Sequence, residues 1–188
     1  MRHNLVMRIL RTALLATSLL TILLSVAGCC APCGSLTGLF TNQGLAKGEM
    51  APDFTLTALR GEQVTLSELQ GQVVLLVFWS TTCGPCRQEF PVLQELHENY
   101  ADRGLAVLAV SVGEKESAVQ SFVDENGYTL PILLDSRGEV RGAYGVRGIP
   151  TSYLVDGQGT VQHVQLGYGA GLEAELRAEI ESLLAELK

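Results

Sequence analysis

The residues of this chain whose types and spacing best suit them to chemistry are Cys83-Gly84-Pro85-Cys86, followed three residues later by Glu89. Two thiols three positions apart at the start of a helix can close a small disulfide ring. Opened and closed in turn, such a pair takes up or releases two electrons by thiol–disulfide exchange. Cys83 is the expected nucleophile, because unpaired N–H groups and the macrodipole at a helix N-terminus favour a thiolate. Lowering a thiol pKa from about 8.5 to about 7 raises the thiolate fraction roughly fifteenfold, while intrinsic nucleophilicity falls roughly fivefold. The larger benefit is to Cys83 as a leaving group. Cys86, one turn into the helix, is the expected resolving thiol and has to lose a proton while partly buried. Glu89 lies three residues further on, on the same helical face, and is the candidate base. A solvated carboxylate on the first turns of the helix is the plainer alternative. Half a zinc site is the other use of paired cysteines, but no further Cys or His stands nearby at ligand spacing, so no metal is expected.

These residues need a scaffold, and the flanking pattern supplies one. Val73-Val74-Leu75-Leu76-Val77-Phe78 is apolar at every position, as expected of a strand covered on both faces, and ends at Trp79 just before the cysteines. From Pro85 the period becomes helical, with Phe90, Leu93 and Leu96 or His97 on one side, and Pro91 is expected to kink this helix. Leu105 to Val112 reads as a second buried strand, Ser117 to Asn126 as a helix stopped by Gly127, and Leu130 to Leu134 as a third strand. A short helix through Val140 and Tyr144 leads to Gly148-Ile149-Pro150-Thr151. A hairpin follows, Ser152 to Val155 and Thr160 to Leu166, and then an amphipathic helix from Leu172 to Leu187. Upstream, Ala51 to Thr57 and Val64 to Leu66 form a first hairpin, with Ser67 expected to cap a one-turn helix. Alternating strands and helices imply an α/β fold with a central mixed sheet, helices on its faces and an N-terminal β-hairpin extension.

The chain has 188 residues and a formal charge of −7. Arg2, Arg8 and Arg11 precede an uncharged stretch from Thr12 to Gly28, the pattern of a secretion signal over residues 1–28. Val26-Ala27-Gly28-Cys29 resembles a bacterial lipobox, so Cys29 is the expected lipidation site; an uncleaved membrane helix is the alternative. Either way the remainder is expected to be exported and held at a membrane, facing the periplasm or the extracellular side. Removing residues 1–28 takes three of the 13 basic residues and none of the 20 acidic ones, which moves the charge from −7 to −10. Such a surface, without a basic stripe, argues against nucleic acid as a partner. Residues 29–48 read as a flexible linker, and 49–188 as the folded domain. Within the linker, Cys30 and Cys33 repeat the two-residue spacing, but no strand precedes them and no helix follows, so no chemistry is assigned to them.

At this point a family is recognisable. Phe78-Trp79-Ser80-Thr81-Thr82-Cys83-Gly84-Pro85-Cys86 resembles the thioredoxin active site. Ala51-Pro52-Asp53-Phe54, Gly71-Gln72-Val73-Val74-Leu75, Glu89-Phe90-Pro91 and Gly148-Ile149-Pro150-Thr151 narrow the likeness, over residues 51–188, to the membrane-tethered, extracytoplasmic reductases of the TlpA/ResA type. The resemblance implies a thioredoxin fold and a protein-disulfide reductase with no cofactor beyond Cys83 and Cys86. It implies that Glu89 tunes the cysteines; ordinary thioredoxins use an aspartate two residues before the active-site tryptophan, where this chain has Val77. It further implies a cis Pro150 and a substrate-binding surface made by Trp79, Ile149 and Pro150, with Ile149 presenting its backbone to a substrate strand and Trp79 packing beside the disulfide. Gly84-Pro85 is the dipeptide of strongly reducing thioredoxins. The implied partners are disulfide-containing proteins, apocytochrome c among them in cytochrome c maturation, and a membrane electron donor. Two other functions share the scaffold. A peroxiredoxin-like peroxidase would also carry Ala51-Pro52-Asp53-Phe54, but Ser80 replaces its usual threonine. A copper carrier would need three residues between the cysteines and a distal histidine, for which His163 is the candidate. His97 and His163 otherwise read as helix-face and strand-face residues.

Overall fold

The computed structural model describes residues 44–169 and 171–187; the expected leader, Cys29, Cys30 and Cys33 lie outside the described residues. The central sheet is laid down by the two continuous apolar runs. Strand β3 (Val73–Trp79) is wholly buried and pairs in parallel with β4 (Leu105–Val112), Val73 opposite Leu105 and Trp79 opposite Ser111. The hairpin strands β6 (Thr151–Val155) and β7 (Val161–Leu166) add on its other side, β6 antiparallel to β3, and β5 (Ile132–Asp135) extends the far edge in parallel. The strand order is β5-β4-β3-β6-β7, a mixed five-stranded sheet. A two-stranded hairpin, β1 (Thr55–Thr57) with β2 (Gln63–Thr65), precedes it. This is the expected thioredoxin-like α/β architecture with its N-terminal hairpin.

Because successive side chains of a strand alternate between faces, β3 feeds two cores. Val73, Leu75, Val77 and Trp79 face one layer, built from α1 (Gly84–Tyr100), α2 (Glu116–Asn126) and α4 (Leu172–Glu186). Val74, Leu76 and Phe78 face the other, formed by the hairpin and the short α3 (Glu139–Ala143) with Phe54, Val140 and Tyr144. Phe90, Leu93 and Leu96 bury the inner side of α1, so of the two residues expected for the last place, Leu96 fills it. Pro91 withholds a hydrogen bond from the Arg87 carbonyl, and the helix continues past it to Tyr100. Gly104 and Gly127 end their helical segments with φ of 99° and 71°, a conformation costly for any residue with a Cβ.

Three upstream expectations change. Residues 44–48 belong to the folded unit rather than to a linker: the Leu45 N–H donates to the Tyr144 carbonyl at 3.3 Å and the Gly48 N–H to the Val161 carbonyl at 2.8 Å. Ser67 does not cap the 3-10 turn Leu66–Leu69, which follows Thr65 with no side-chain cap. Its backbone N–H instead donates to Asp53 Oδ1 at 2.9 Å, as does that of Phe54. That carboxylate, held below its ordinary range chiefly by hydrogen bonding to Ser67, pins the hairpin entry. The hairpin strands are also shorter than the alternation suggests, because Ala51 to Phe54 run as irregular chain.

The same upstream stretch meets both outer strands. Next to β7, the Val161 N–H donates to the Glu49 carbonyl at 2.9 Å and Met50 bridges Thr160. Next to β5, the Leu59 N–H donates to the Ile132 carbonyl at 2.8 Å and Ala58 bridges Leu133.

Candidate active site

Cys83 stands at the N-cap of α1 in extended backbone conformation, with Pro85 in the first turn, where its missing N–H costs nothing. Its Sγ accepts the Cys86 N–H at 3.2 Å, the helix-terminus donor that stabilises a thiolate once the pair is reduced. Cys83 and Cys86 form a disulfide with an S–S distance of 2.06 Å and a Cα–Cα distance of 5.2 Å. The two sulfurs are not equivalent. Cys83 is half-buried, whereas Cys86 is 1% exposed and packed in the core. A partner approaching from solvent therefore meets Cys83 first.

Opposite Cys83 lies the loop Gly148–Thr151. The Ile149–Pro150 bond is cis. The Ile149 carbonyl oxygen is 3.7 Å from Cys83 Sγ, within reach of a donated S–H in the reduced state. The loop is pinned on both sides: the Thr151 hydroxyl donates to the Gly148 carbonyl at 2.7 Å and the Gly167 N–H to the Pro150 carbonyl at 2.8 Å.

Glu89 is 2% exposed, which a solvated helix carboxylate would not be. The Ser152 hydroxyl donates to its Oε1 at 3.4 Å, and Oε2 has no partner among the described residues. Burial disfavours the charged form and pushes Glu89 up to about 7, the Ser152 hydrogen bond opposing it only in part. A carboxyl poised near neutrality, one helical turn from Cys86, has the acidity that suits a proton acceptor or donor at physiological pH. Val77 is fully buried opposite Ser152, so the sheet offers no carboxylate at the aspartate position of ordinary thioredoxins.

Trp79 departs from its expected part. Its indole is fully enclosed, with ring centroids 4.2 Å from Phe90 and 5.1 Å from Phe122, and Nε1 finds no partner among the described residues. It packs behind the disulfide and presents no surface to a substrate.

Residues that sequence reasoning passed over hold the site in place. The Thr81 N–H donates to Glu114 Oε2 at 2.9 Å, the Thr81 hydroxyl to Glu114 Oε1, and the Ser111 hydroxyl to Oε2 at 3.1 Å. One carboxylate from the loop after β4 thus fastens the turn that carries Cys83. Glu114→Ala is expected to cost about 1–2 kcal/mol of stability, read by urea unfolding, because three donors lose a charged acceptor at a half-exposed site where water replaces part of it. Ser152 had only a weak sequence signal, as one of three successive hydroxyl side chains, Thr151-Ser152-Tyr153, ahead of Leu154 and Val155. Glu114 had none, since a glutamate after a strand is ordinarily solvated.

Among the described residues no three of His, Cys, Asp and Glu converge as a metal site would require. The arrangement is one of dithiol chemistry: an accessible sulfur, an enclosed sulfur, a buried carboxyl beside the second and a backbone carbonyl beside the first.

Comparison with known proteins agrees with this chemistry. The AhpC/TSA family matches residues 47–164. The chain is 38% identical over 148 residues to thiol-disulfide oxidoreductase ResA of Geobacillus kaustophilus, covering 78% of this chain and 84% of the relative. It is 40% identical over 141 residues to the thioredoxin-like protein YneN of Bacillus subtilis, covering 73% and 82%. A crystal structure from Chlorobium tepidum assigned as the thiol:disulfide interchange protein DsbE superposes with a TM-score of 0.71 at 36% identity, over 74% of this chain and 99% of that one. The chain belongs to the AhpC/TSA family of the thioredoxin-like fold and is a thiol–disulfide oxidoreductase of the ResA/DsbE type.

Proposed function

We propose that the protein is a membrane-tethered, extracytoplasmic reductant of protein disulfides, in which Cys83 attacks and Cys86 resolves. The observation that carries this reading is the asymmetry of the pair: Cys83 is half-buried beside the Ile149 carbonyl, and Cys86 is enclosed on the helical face that bears Glu89. In the reduced protein the Cys83 thiolate attacks one sulfur of a substrate disulfide, and the other sulfur leaves as a thiolate that takes a proton from solvent. Cys86 then passes its proton to the Glu89 carboxylate and attacks Cys83 Sγ. The Cys83–Cys86 disulfide forms, the second substrate thiolate departs, and two electrons have moved from the protein to its partner. Ile149 and Pro150 line the approach to Cys83, Gly84 and Pro85 shape the turn between the cysteines, and Trp79 supports that turn from within.

The compartment supplies a further demand. In an oxidising environment a thioredoxin-like pair stays reduced only if electrons reach it; the gap to an oxidant-like potential is ~150 mV, or about 7 kcal/mol for two electrons. A membrane-bound thiol–disulfide relay is the partner class that meets it. Among the described residues no helix is long and apolar enough to cross a membrane, so anchoring falls to the upstream region, with a lipid on Cys29 as the tether. Haem-binding cysteines of apocytochrome c are the proposed client, as part of cytochrome c maturation.

Trapping tests the reading. Cys86→Ser blocks resolution, so the variant should accumulate mixed disulfides through Cys83, separable from the free protein on non-reducing gels and released by dithiothreitol. Recovery of haem-binding cysteine peptides in those adducts supports the client class. Adducts of the Cys86→Ser variant that persist after Cys83 is also removed would sink the assignment of roles.

A further inference from the structure

Glu89 is not the only polar group enclosed on the α1 side of the sheet. Ser152 on β6 stands directly opposite Gln165 on β7. Facing residues of paired strands project to the same side, with Cβ atoms about 5 Å apart. The side Ser152 occupies is that of Glu89, to which it donates. Gln165 is 3% exposed in this layer, unusual for an amide. Its Nε2 donates to the Gly167 carbonyl at 3.3 Å, and that bond fixes the orientation of the amide. Oε1, the other arm of that amide, is buried and has no donor among the described residues. Glu89 Oε2 on the same side also has none. Two enclosed acceptors, each without a donor and both flanking one serine, become mutually satisfied when a single proton is added to the carboxyl.

We propose that Gln165 is a positioning residue for Glu89: its amide oxygen accepts the hydrogen of the neutral carboxyl, while the Ser152 hydroxyl holds the ionised one. The proposal rests on the dithiol reading above and sharpens one step of it. When Cys86 gives up its proton, the product is neutral Glu89, and the negative end of a fixed amide dipole favours that product. The other groups facing Glu89 do not duplicate this. Cys86, one turn earlier on α1, is held in the disulfide with Cys83 and carries no charge. From beyond β7, Tyr168 feels the Glu89 charge, but its hydroxyl donates to Glu173 at 3.3 Å. Glu173 on α4 is in turn paired with Arg177 at 3.1 Å. Gln165 also connects Glu89 to the substrate-facing loop, since the Gly167 to which it donates bonds through its own N–H to the Pro150 carbonyl.

The test uses the oxidised protein, in which neither cysteine titrates, and follows the NMR shift of the Glu89 carboxyl carbon against pH. Gln165→Met fills the same volume without an acceptor and should lower the midpoint by about half to one pH unit; Ser152→Ala should raise it by a similar amount. Opposite signs are the signature, because loosened packing or added water moves both variants the same way. A midpoint that is unchanged or raised in Gln165→Met overturns the proposal. Should that variant fail to fold, Gln165→Asn withdraws the oxygen by one methylene and must give the same downward shift. Failure of the dithiol reading shows up elsewhere, in the trapping experiment, which does not depend on this midpoint.

Discussion

Replacing Cys83 by serine is expected to lower reduction of a protein disulfide such as insulin by at least ~10³-fold while leaving the fold unchanged. Access decides the size of the effect. Cys86 is the only other described thiol, and at 1% exposure it cannot present its sulfur to a protein-sized disulfide. Cys83 is half-buried at the N-terminal end of α1, and serine keeps its shape, so the core packed beside it is little disturbed. Insulin turbidity checks the loss of activity, and a circular dichroism spectrum checks the fold. Retained reduction would show that the electrons travel by another route. Rapid consumption of hydrogen peroxide with a thiol donor would instead favour the peroxidase relatives that share the fold.

Glu89→Gln is expected to separate stability from function. The ordinary glutamate pKa of 4.5 describes the unfolded chain, and burial raises the folded value to about 7. The folded state therefore holds this proton more tightly, so the favourable contribution is fully present below the unfolded value and is lost as pH rises through the folded one. Across that window the penalty for keeping a carboxylate in the core grows to on the order of 3 kcal/mol. An amide carries no such penalty. Urea unfolding at about pH 4 should find the two proteins similar, and at about pH 8 should find the variant more stable by on the order of that amount. Resolution of the mixed disulfide should slow in the same variant, because Cys86 has lost its proton acceptor. An unchanged stability difference between the two pH values would mean that Glu89 is solvated in the folded protein.

Much of this was legible in the order of residue types. Two apolar runs ending at Trp79 and Val112 announce parallel strands buried on both faces, and the cysteines after the first can only fall at a helix start. Glu89 was legible because helical spacing is local: three residues from Cys86 means the same face. What escaped notice arises between elements distant in sequence. Ser152 and Gln165 are unremarked hydroxyl and amide residues until strand register sets them side by side on one face of the sheet. Glu114 acts on Thr81 across 33 positions. Leu45 to Gly48 have the composition of a linker, and only their backbone bonds to Tyr144 and Val161 make them part of the domain. The enclosure of Trp79 was likewise invisible, because a tryptophan at a strand end is equally suited to a surface and to a core.

The stretch from Gly48 to Leu66 has a consequence beyond folding. An outermost strand offers a row of unsatisfied N–H and C=O groups on which another chain can template. This sheet has two such borders, β5 and β7. Residues 48–50 occupy part of one and residues 58–59 part of the other. Left bare, either border would be open to pairing with another copy of the same sheet. The segment that takes no part in the electron transfer is thus its guard against cross-β self-association.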